Sequence, residues 1–466
     1  MTSTFRVLAA AFLIAVASLA GALYLGHERA GADESLFGQG GVATLDLHAL
    51  LDNPRNADQR MLDSAFRQVE KAYYRPVRAQ VLLNGEQHEL VAYLRKHNVR
   101  DPAIPLAQAN GDESHDINLL NQSLQLAETQ YGKMTSNADL TQAAVRGMMN
   151  ALGDPYTTYL SASEINSLEE SLRGGDFGGI GVYIVQDPQT KRVLVEPIEG
   201  TPAFKAGIKT GDRIVAVDGH SVAGLKLDEV ERLIRGRIGT VVNLSVLSHN
   251  ARAARTVAVT RQQIYVPSVH AKYEGGFEYV RLADFGQTSY DEVRRALLAG
   301  KARGARGYIL DLRNNGGGLL EAAVQISSLF IPQGTVVSTI DRAGNRETKG
   351  ATHESIGVAP LAVLVNKYTA SASEITAGAV QDYHVGVLIG TKTFGKGVVQ
   401  SIYNLSDGGA LKITTARYVT PLGRDIQHRG IEPDVTVSQP VEAPIIDTPK
   451  DLQLAAAKAY LRRNSP

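Results

Sequence analysis

Between about residues 46 and 166 apolar side chains recur every three to four positions. Leu62, Phe66, Val69 and Tyr73 follow one helical face, and Leu140, Val145, Met148 and Leu152 repeat it more loosely, so the stretch predicts a mostly α-helical region. Residues 101–116 are polar and read as a loop. A faint repeat relates Tyr74, Leu83 and Leu94 to Tyr131, Leu140 and Leu152 at an offset near 57; two similar helical hairpins would produce it, and so would chance. Beyond Gly174 the pattern changes to short β-branched runs at 193–195, 213–217 and 241–246, separated by glycines, with one helical stretch at 227–235. This predicts a small β-rich module of about ninety residues. After Val269 strands and helices alternate: strands at 279–282, 307–312, 361–365 and 387–389, helices at 290–303, 319–330 and 373–381. That is the pattern of an α/β core built from β-α units. Residues 440–449 read as a linker and 452–462 as a closing helix. The predicted fold class is therefore multidomain α+β.

The uncharged run at residues 7–25 follows Arg6 and is apolar on all sides. As a helix it would reach roughly 28 Å, enough to cross a bilayer once. It predicts an export signal or a single membrane anchor within residues 1–30. Small residues at 18–22 offer cleavage sites, so removal and retention both stand. Either way the rest of the chain is expected outside the cytoplasm, in the periplasm of a double-membrane bacterium.

Composition narrows the chemistry. The 466 residues allow about three folded units, and 21% charged with 44% hydrophobic residues argues against wholesale disorder. Lys plus Arg and Asp plus Glu each total 48, so no global field favours nucleic acid. With no cysteine, disulfides and thiolate nucleophiles are excluded. Reactive groups must be oxygen or nitrogen.

Three segments carry candidate chemistry. In residues 367–375 (KYTASASEI), Ser371 and Glu374 fit a capping box at a helix start. The same geometry suits a nucleophile held near unpaired amides and the positive end of a helix dipole. No G-x-S-x-G turn is present, and His353, His384 and His428 have no triad context. Lys396, 25 positions after Ser371, is the candidate base. To act so it must be dehydrated until its pKa falls from about 10.4 towards 7 or 8. Gln400 is neutral and could orient the amine without adding a charge that would keep it protonated. Residues 390–396 also match G-x-x-x-x-G-K, but Gly397 stands where a P-loop needs Ser or Thr. Residues 309–319 run from a strand through Gly316, Gly317 and Gly318 to a helix. Gly316 or Gly317 could donate one oxyanion N–H, with Ala372 giving the other.

In chain order, DLRNNGGG at 311–318, SASE at 371–374 and FGKGVVQ at 394–400 resemble the carboxy-terminal processing (tail-specific) proteases. GMMNALGDPYTTY at 147–159, TTARYVTPLGR at 414–424 and GIEPD at 430–434 extend the resemblance over roughly residues 119–437. It implies Ser371 as nucleophile, Lys396 as general base and Gln400 as its orienting partner. It implies that residues 166–265 are a PDZ domain, in which Phe177, Gly178, Gly179, Ile180, Gly181 and Val182 grip the terminal carboxylate of a substrate tail. It assigns Arg235 to coupling that event to the active site. The domains expected are a helical region over 31–165, the PDZ domain, a protease core over 266–437 that includes parts of the N-terminal region, and a closing segment over 438–466. Partners are protein or peptide substrates with free C-terminal tails, with room for an adaptor or regulatory protein; no metal or organic cofactor is implied. Thr369 stands where many relatives have a further serine, and the helical segment before residue 119 is longer than usual. A scaffold that binds tails through the PDZ domain with an inert core is the competing expectation.

Overall fold

The computed structural model describes residues 23–24, 54–172, 177–187, 190–248, 251–264, 266–357, 360–439 and 446–465. The apolar run at 7–25 lies outside these apart from Leu23–Tyr24, a short strand β1. Among the described residues no helix is long and apolar enough to cross a membrane.

Helices α1 (Pro54–Ala72), α2 (Ala79–Lys96), α3 (Glu113–Tyr131) and α4 (Asn137–Ala151) form the N-terminal region. Asp112 and Ser136 begin α3 and α4 by accepting from the N–H groups of His115 and Asp139, the capping that satisfies orphan amides. The periodic residues Leu62, Phe66, Leu140 and Met148 are all buried in one cluster. At the crossing of α2 and α4 the backbones nearly touch. A Cβ on Gly85 would lie 2.3 Å from the Gly147 carbonyl oxygen, and one on Gly147 equally close to that of Gly85, so neither position accepts a side chain. The helical pattern does not continue to residue 166. Gly153 adopts φ +64°, Pro155 follows, and the chain enters strand β2 (Thr158–Leu160) before helix α5 (Ala162–Leu172).

The second region pairs β3 (Phe177–Gly179) with β10 (Gln262–Ile264) and forms a sheet in the order β4 (Val182–Gln186), β5 (Val193–Pro197), β6 (Asp212–Val217), β8 (Val241–Leu247), β9 (Arg255–Thr260), with β7 (His220–Ser221) beside β6. Helices α6 (Pro202–Lys205) and α7 (Leu227–Ile234) complete it. Val195, Ile214, Val230, Leu244 and Val246 form its core. Buried Arg261 donates to the Leu233 and Ile234 carbonyls that close α7, where a cation suits the helix C-terminus.

The third region holds two sheets. One runs β11 (Val269–Glu274), β12 (Phe277–Leu282), β13 (Gly307–Asp311), β16 (Leu361–Val365), β17 (Val387–Gly390), β20 (Val435–Thr436), parallel from β12 onward. Every residue of β13 and β16 is buried, as expected for parallel strands covered on both faces. Helices α8 (Ser289–Ala302), α9 (Leu320–Ser328) and α10 (Ala372–Asp382) belong to the core cluster on one face. Helix α11 (Leu452–Asn464) covers the other through Leu454, Ala457 and Leu461. The second sheet joins β18 (Val398–Asn404), β19 (Ala410–Val419), β14 (Thr335–Asp341) and β15 (Arg346–Gly350), with β1 on β18 and β2 on β19. Tyr159, Leu411 and Ile413 share the cluster of the N-terminal helices, so that region packs onto the second sheet.

Candidate active site

In the first sheet β13, β16 and β17 are neighbours in parallel register, with Leu310 beside Val363 and Val363 beside Leu388. Their carboxyl ends therefore meet at one edge, where open α/β sheets place ligands. From that edge β13 leads into the three glycines, β16 into Ser371 and β17 into Lys396. Three segments far apart in sequence converge because their strands are adjacent.

Ser371 is fully buried and has φ +56°, ψ −119°. For a residue with a side chain this is a strained conformation, held only where the surroundings fix it. Gly317 (φ +105°) packs directly against the turn. A Cβ there would lie 2.8 Å from the Ser371 Cβ and 2.9 Å from the Ala372 nitrogen. Asn315 fastens the glycine loop to the serine turn: its carbonyl accepts from the Ala370 N–H and the Ser373 hydroxyl, both at 3.0 Å, and its Oδ1 accepts from the Gly317 N–H at 2.8 Å. Gly317 thus has its N–H engaged by Asn315 in this arrangement. Ala372 begins α10, where N–H groups have no intrahelical acceptor.

Glu374 ties this turn to the lysine loop. Its Oε2 accepts from the backbone N–H groups of Ser371 (3.0 Å) and Lys396 (2.9 Å), and its Oε1 from Gly395 N–H (2.8 Å) and the Thr393 hydroxyl (2.5 Å). Burial raises the carboxyl's pKa, and these donors oppose the rise. The Tyr418 hydroxyl is shared between the carbonyls of Ser371 and Lys396.

Lys396 is 4% exposed. Its pKa falls from the ordinary 10.5 to about 7, first because burial strips water from the ammonium, then because Lys412 repels the charge; Asp154 and Glu374 act in the opposite direction. The ammonium nitrogen lies 4.6 Å from the Tyr156 ring centroid. Gln400 is buried on β18, donating weakly to Thr414 Oγ1 at 3.4 Å. Its Oε1 has no hydrogen-bond partner among the described residues.

Asp154, Tyr156, Lys412 and Tyr418 were not singled out from the sequence as site residues. Asp154, Tyr156 and Tyr418 lie within the flanking stretches 147–159 and 414–424 that carry the resemblance, which was the available signal; Lys412, two positions before the second stretch, had none. The stretch 390–396 passes from strand β17 to strand β18 rather than into a helix, so it lacks the helix N-terminus of a phosphate loop.

The PDZ-region residues lie apart from this cluster in the sequence and in their contacts. Ile180 is buried, and Gly181 takes φ +75°, with Thr201 so close that a Cβ would meet it at 2.3 Å. The Ile180 and Gly181 carbonyls are taken by Ala203 N–H and by Ile198 N–H and the Thr201 hydroxyl. Gly178 lies against Gly236, whose N–H it accepts at 3.2 Å, and Gly179 pairs with Gln262. Phe177 and Val182 bound the turn at the ends of β3 and β4. Arg235 forms its ion pair with Glu231 of α7, inside the same module.

Residues 277–437 match peptidase family S41, residues 193–248 a PDZ domain, and residues 91–164 the N-terminal domain of the activating protease CtpB. The chain is 39% identical over 339 residues to a carboxyl-terminal-processing protease of Synechocystis, covering 71% of this chain and 79% of that protein. It is 40% identical over 332 residues to another from Picosynechococcus, covering 70% and 80%. Among solved structures, a photosystem II D1 C-terminal processing protease aligns over 82% of this chain and 93% of its own at 31% identity and a TM-score of 0.46.

Proposed function

Because the chain belongs to the carboxyl-terminal-processing proteases, serine-type peptidases of family S41 that here include a PDZ domain, we propose that it cleaves through a Ser371–Lys396 dyad and an acyl-enzyme. The observation that carries this reading is the pairing of a strained, helix-leading Ser371 with a dehydrated Lys396 whose backbone is fixed to the same carboxylate. Near neutral pH a good part of the Lys396 amine is uncharged and can take a proton. Ser371 Oγ attacks the scissile carbonyl as its proton passes to Lys396 Nζ. The Ala372 N–H and that of Gly316 or Gly317 hold the oxyanion. The intermediate collapses to an ester on Ser371 while Lys396 returns the proton to the leaving amine, and a water activated by Lys396 then releases the acid. Gln400 Oε1, a buried acceptor with no partner among the described residues, is suited to receive the Lys396 ammonium after the first transfer.

The substrate is a protein or peptide with a free C-terminal tail, its carboxylate held at the Phe177–Val182 turn and its backbone adding to a strand edge. Arg235 acts as the coupling residue. Export is part of the same reading, supported by the uncharged run at 7–25 as signal or anchor. The test is to incubate the full chain with an unfolded protein and compare Ser371→Ala and Lys396→Ala. Cleavage by the parent and loss in both variants is expected. An inert parent, or variants that cut equally well, overturns the reading and leaves a PDZ scaffold.

A further inference from the structure

The turn that follows the N-terminal helices reaches the proposed base. Gly153, just past α4, turns the chain at φ +64°. The Asp154 carboxylate then accepts from the Tyr156 N–H (3.0 Å) and the Thr157 hydroxyl (2.7 Å). The Thr157 hydroxyl oxygen in turn accepts from the Thr414 N–H of β19 at 3.0 Å, and Thr414 lies opposite Gln400 on β18. These bonds fasten residues 154–157 to the sheet that carries Gln400, and none of them uses the Tyr156 side chain. Its ring faces Lys396: the ammonium nitrogen stands 4.6 Å from the ring centroid, inside the roughly 6 Å over which an aromatic face attracts a cation.

Lys396 is 4% exposed and Tyr156 is half-buried, which puts the ring at the rim of the pocket that holds the amine. The lysine comes 240 positions later, from the protease core, so two regions of the chain share the surroundings of its amine. The other charged and titratable groups there are Asp154 from the same turn, Glu374 from α10, and Lys412 and Tyr418 from β19. Asp154, Glu374 and Lys412 act on the ammonium charge through space. Glu374 and Tyr418 also hydrogen-bond the lysine backbone, at its N–H and its carbonyl. The Tyr156 ring meets the amine itself.

We propose that Tyr156 is a positioning residue for the reaction: its ring face holds the Lys396 amine and keeps water from it, so that the end of the helical region completes the site formed by the core. A small side chain in its place would let water reach the amine. Water solvates an ammonium better than an aromatic face does, so Lys396 would stay protonated to higher pH. The ring carries this role and the hydroxyl does not, and Tyr156 acts through Lys396. The inference rests on the dyad reading above and adds a residue, from outside the core, that keeps its base dry.

The experiment measures kcat and KM for cleavage of unfolded β-casein by the full chain from pH 5.5 to 9.5, with thermal melting of each variant. Tyr156→Ala and Tyr156→Thr remove the ring, and Tyr156→Phe keeps it. Because the turn is held by bonds the ring does not make, the truncated variants should fold. Their acidic limb in kcat should move up by about one pH unit, cutting the rate at pH 7 roughly tenfold while activity recovers by pH 9. Tyr156→Phe should leave the limb in place. If the folded truncations keep the parent's limb, lower kcat equally at every pH or change KM alone, or if Tyr156→Phe shifts the limb as they do, the proposal is overturned. Should neither truncation melt cooperatively, the Phe variant decides, a displaced limb overturning the proposal and an unmoved one supporting it. Ser371→Ala in parallel separates the two readings: if it cuts as well as the parent, or the parent cuts nothing, the dyad itself fails.

Discussion

The backbone N–H groups of Ser371 and Lys396, 25 positions apart in the chain, both donate to the same oxygen of Glu374, at 3.0 and 2.9 Å. A single buried carboxylate thereby fixes the serine turn and the lysine loop to each other. Glu374→Gln keeps the shape but turns an acceptor of four hydrogen bonds into a group that must point an amide N–H at other donors. Leaving buried donors unsatisfied costs about 1–3 kcal/mol each. The variant should melt lower and cleave at least about a hundredfold more slowly, read as kcat on protein shown to be folded. Retained kcat with a lower melting temperature would show that Glu374 supports stability alone.

Gly317 illustrates a position set by close contact. Gly317→Ala must place a methyl group against Ser371 and Ala372 at under 3 Å, at a φ of +105° that side chains rarely adopt. The strain, about 1–3 kcal/mol, falls on the serine turn. Cleavage should be lost with only a modest drop in melting temperature. Full activity would mean that the loop can withdraw from Ser371.

Burying Lys396 has a stability consequence with a definite sign. In the unfolded chain the amine keeps a pKa near 10.5, and in the native state it is about 7. Between those values the unfolded state binds the extra proton, so native stability rises with pH across that window and the full penalty applies below pH 7. Lys396→Met removes the penalty. The inactive variant should therefore be more stable than the parent at pH 6–7, by roughly 4–5 kcal/mol, and the difference should shrink as pH approaches 10. Equal denaturation midpoints at pH 6.5 would show that the native amine is solvated.

Much of this arrangement was legible because the chemistry sits in short contiguous runs. Ser371, Lys396 and the glycines occupy the starts or ends of strands whose apolar patterns are plain, and the alternating β-α texture gave the core its class. Strand order was not legible. Only the adjacency of β13, β16 and β17 explains why those runs meet, and periodicity carries no information about neighbours. Asp154, Tyr156 and Lys412 were hidden for the same reason, since β2 reaches β19 across some 250 residues. That the Gly317 N–H is engaged was not legible either, since it depends on one side-chain oxygen, Asn315 Oδ1. Over residues 153–160 the helical periodicity misleads, because Leu152 continues an apolar face while Gly153 and Pro155 are the local stop signals.

At the PDZ turn, Gly181→Ala places a methyl group on Thr201 at a φ of +75°. Both effects distort the backbone between β3 and β4, where the proposed function places the substrate carboxylate. A labelled peptide ending in a free carboxylate should bind the parent better than its amidated form, and the variant should lose about tenfold in affinity for the former. Thr201 also holds the Gly181 carbonyl through its hydroxyl, so Thr201→Val should weaken binding in the same direction. Unchanged discrimination between the two peptides in Gly181→Ala would place carboxylate recognition elsewhere.

The closing helix is joined to the site through a buried arginine. Arg313 donates to both Asp311 oxygens at the end of β13 and to both Asp451 oxygens at the start of α11, at 2.6–3.1 Å. Tyr279 donates to Asp311 from the neighbouring strand. Asp451→Ala leaves a buried guanidinium with one of its two carboxylates missing, a loss of about 3–5 kcal/mol for a buried pair. Asp451 also caps α11 by accepting from Leu454 N–H, so the helix should loosen with it. Arg313 is two residues before Asn315, whose side chain and carbonyl hold Gly317, Ala370 and Ser373. The effect is thus expected to reach cleavage as well as stability: a lower denaturation midpoint together with a lower kcat measured well below that midpoint. Asp451→Asn, which keeps the cap but weakens the charge pair, should fall between the two. If kcat stays at the parent level while the midpoint drops, α11 is a cover for the sheet and the glycine loop holds its shape without it.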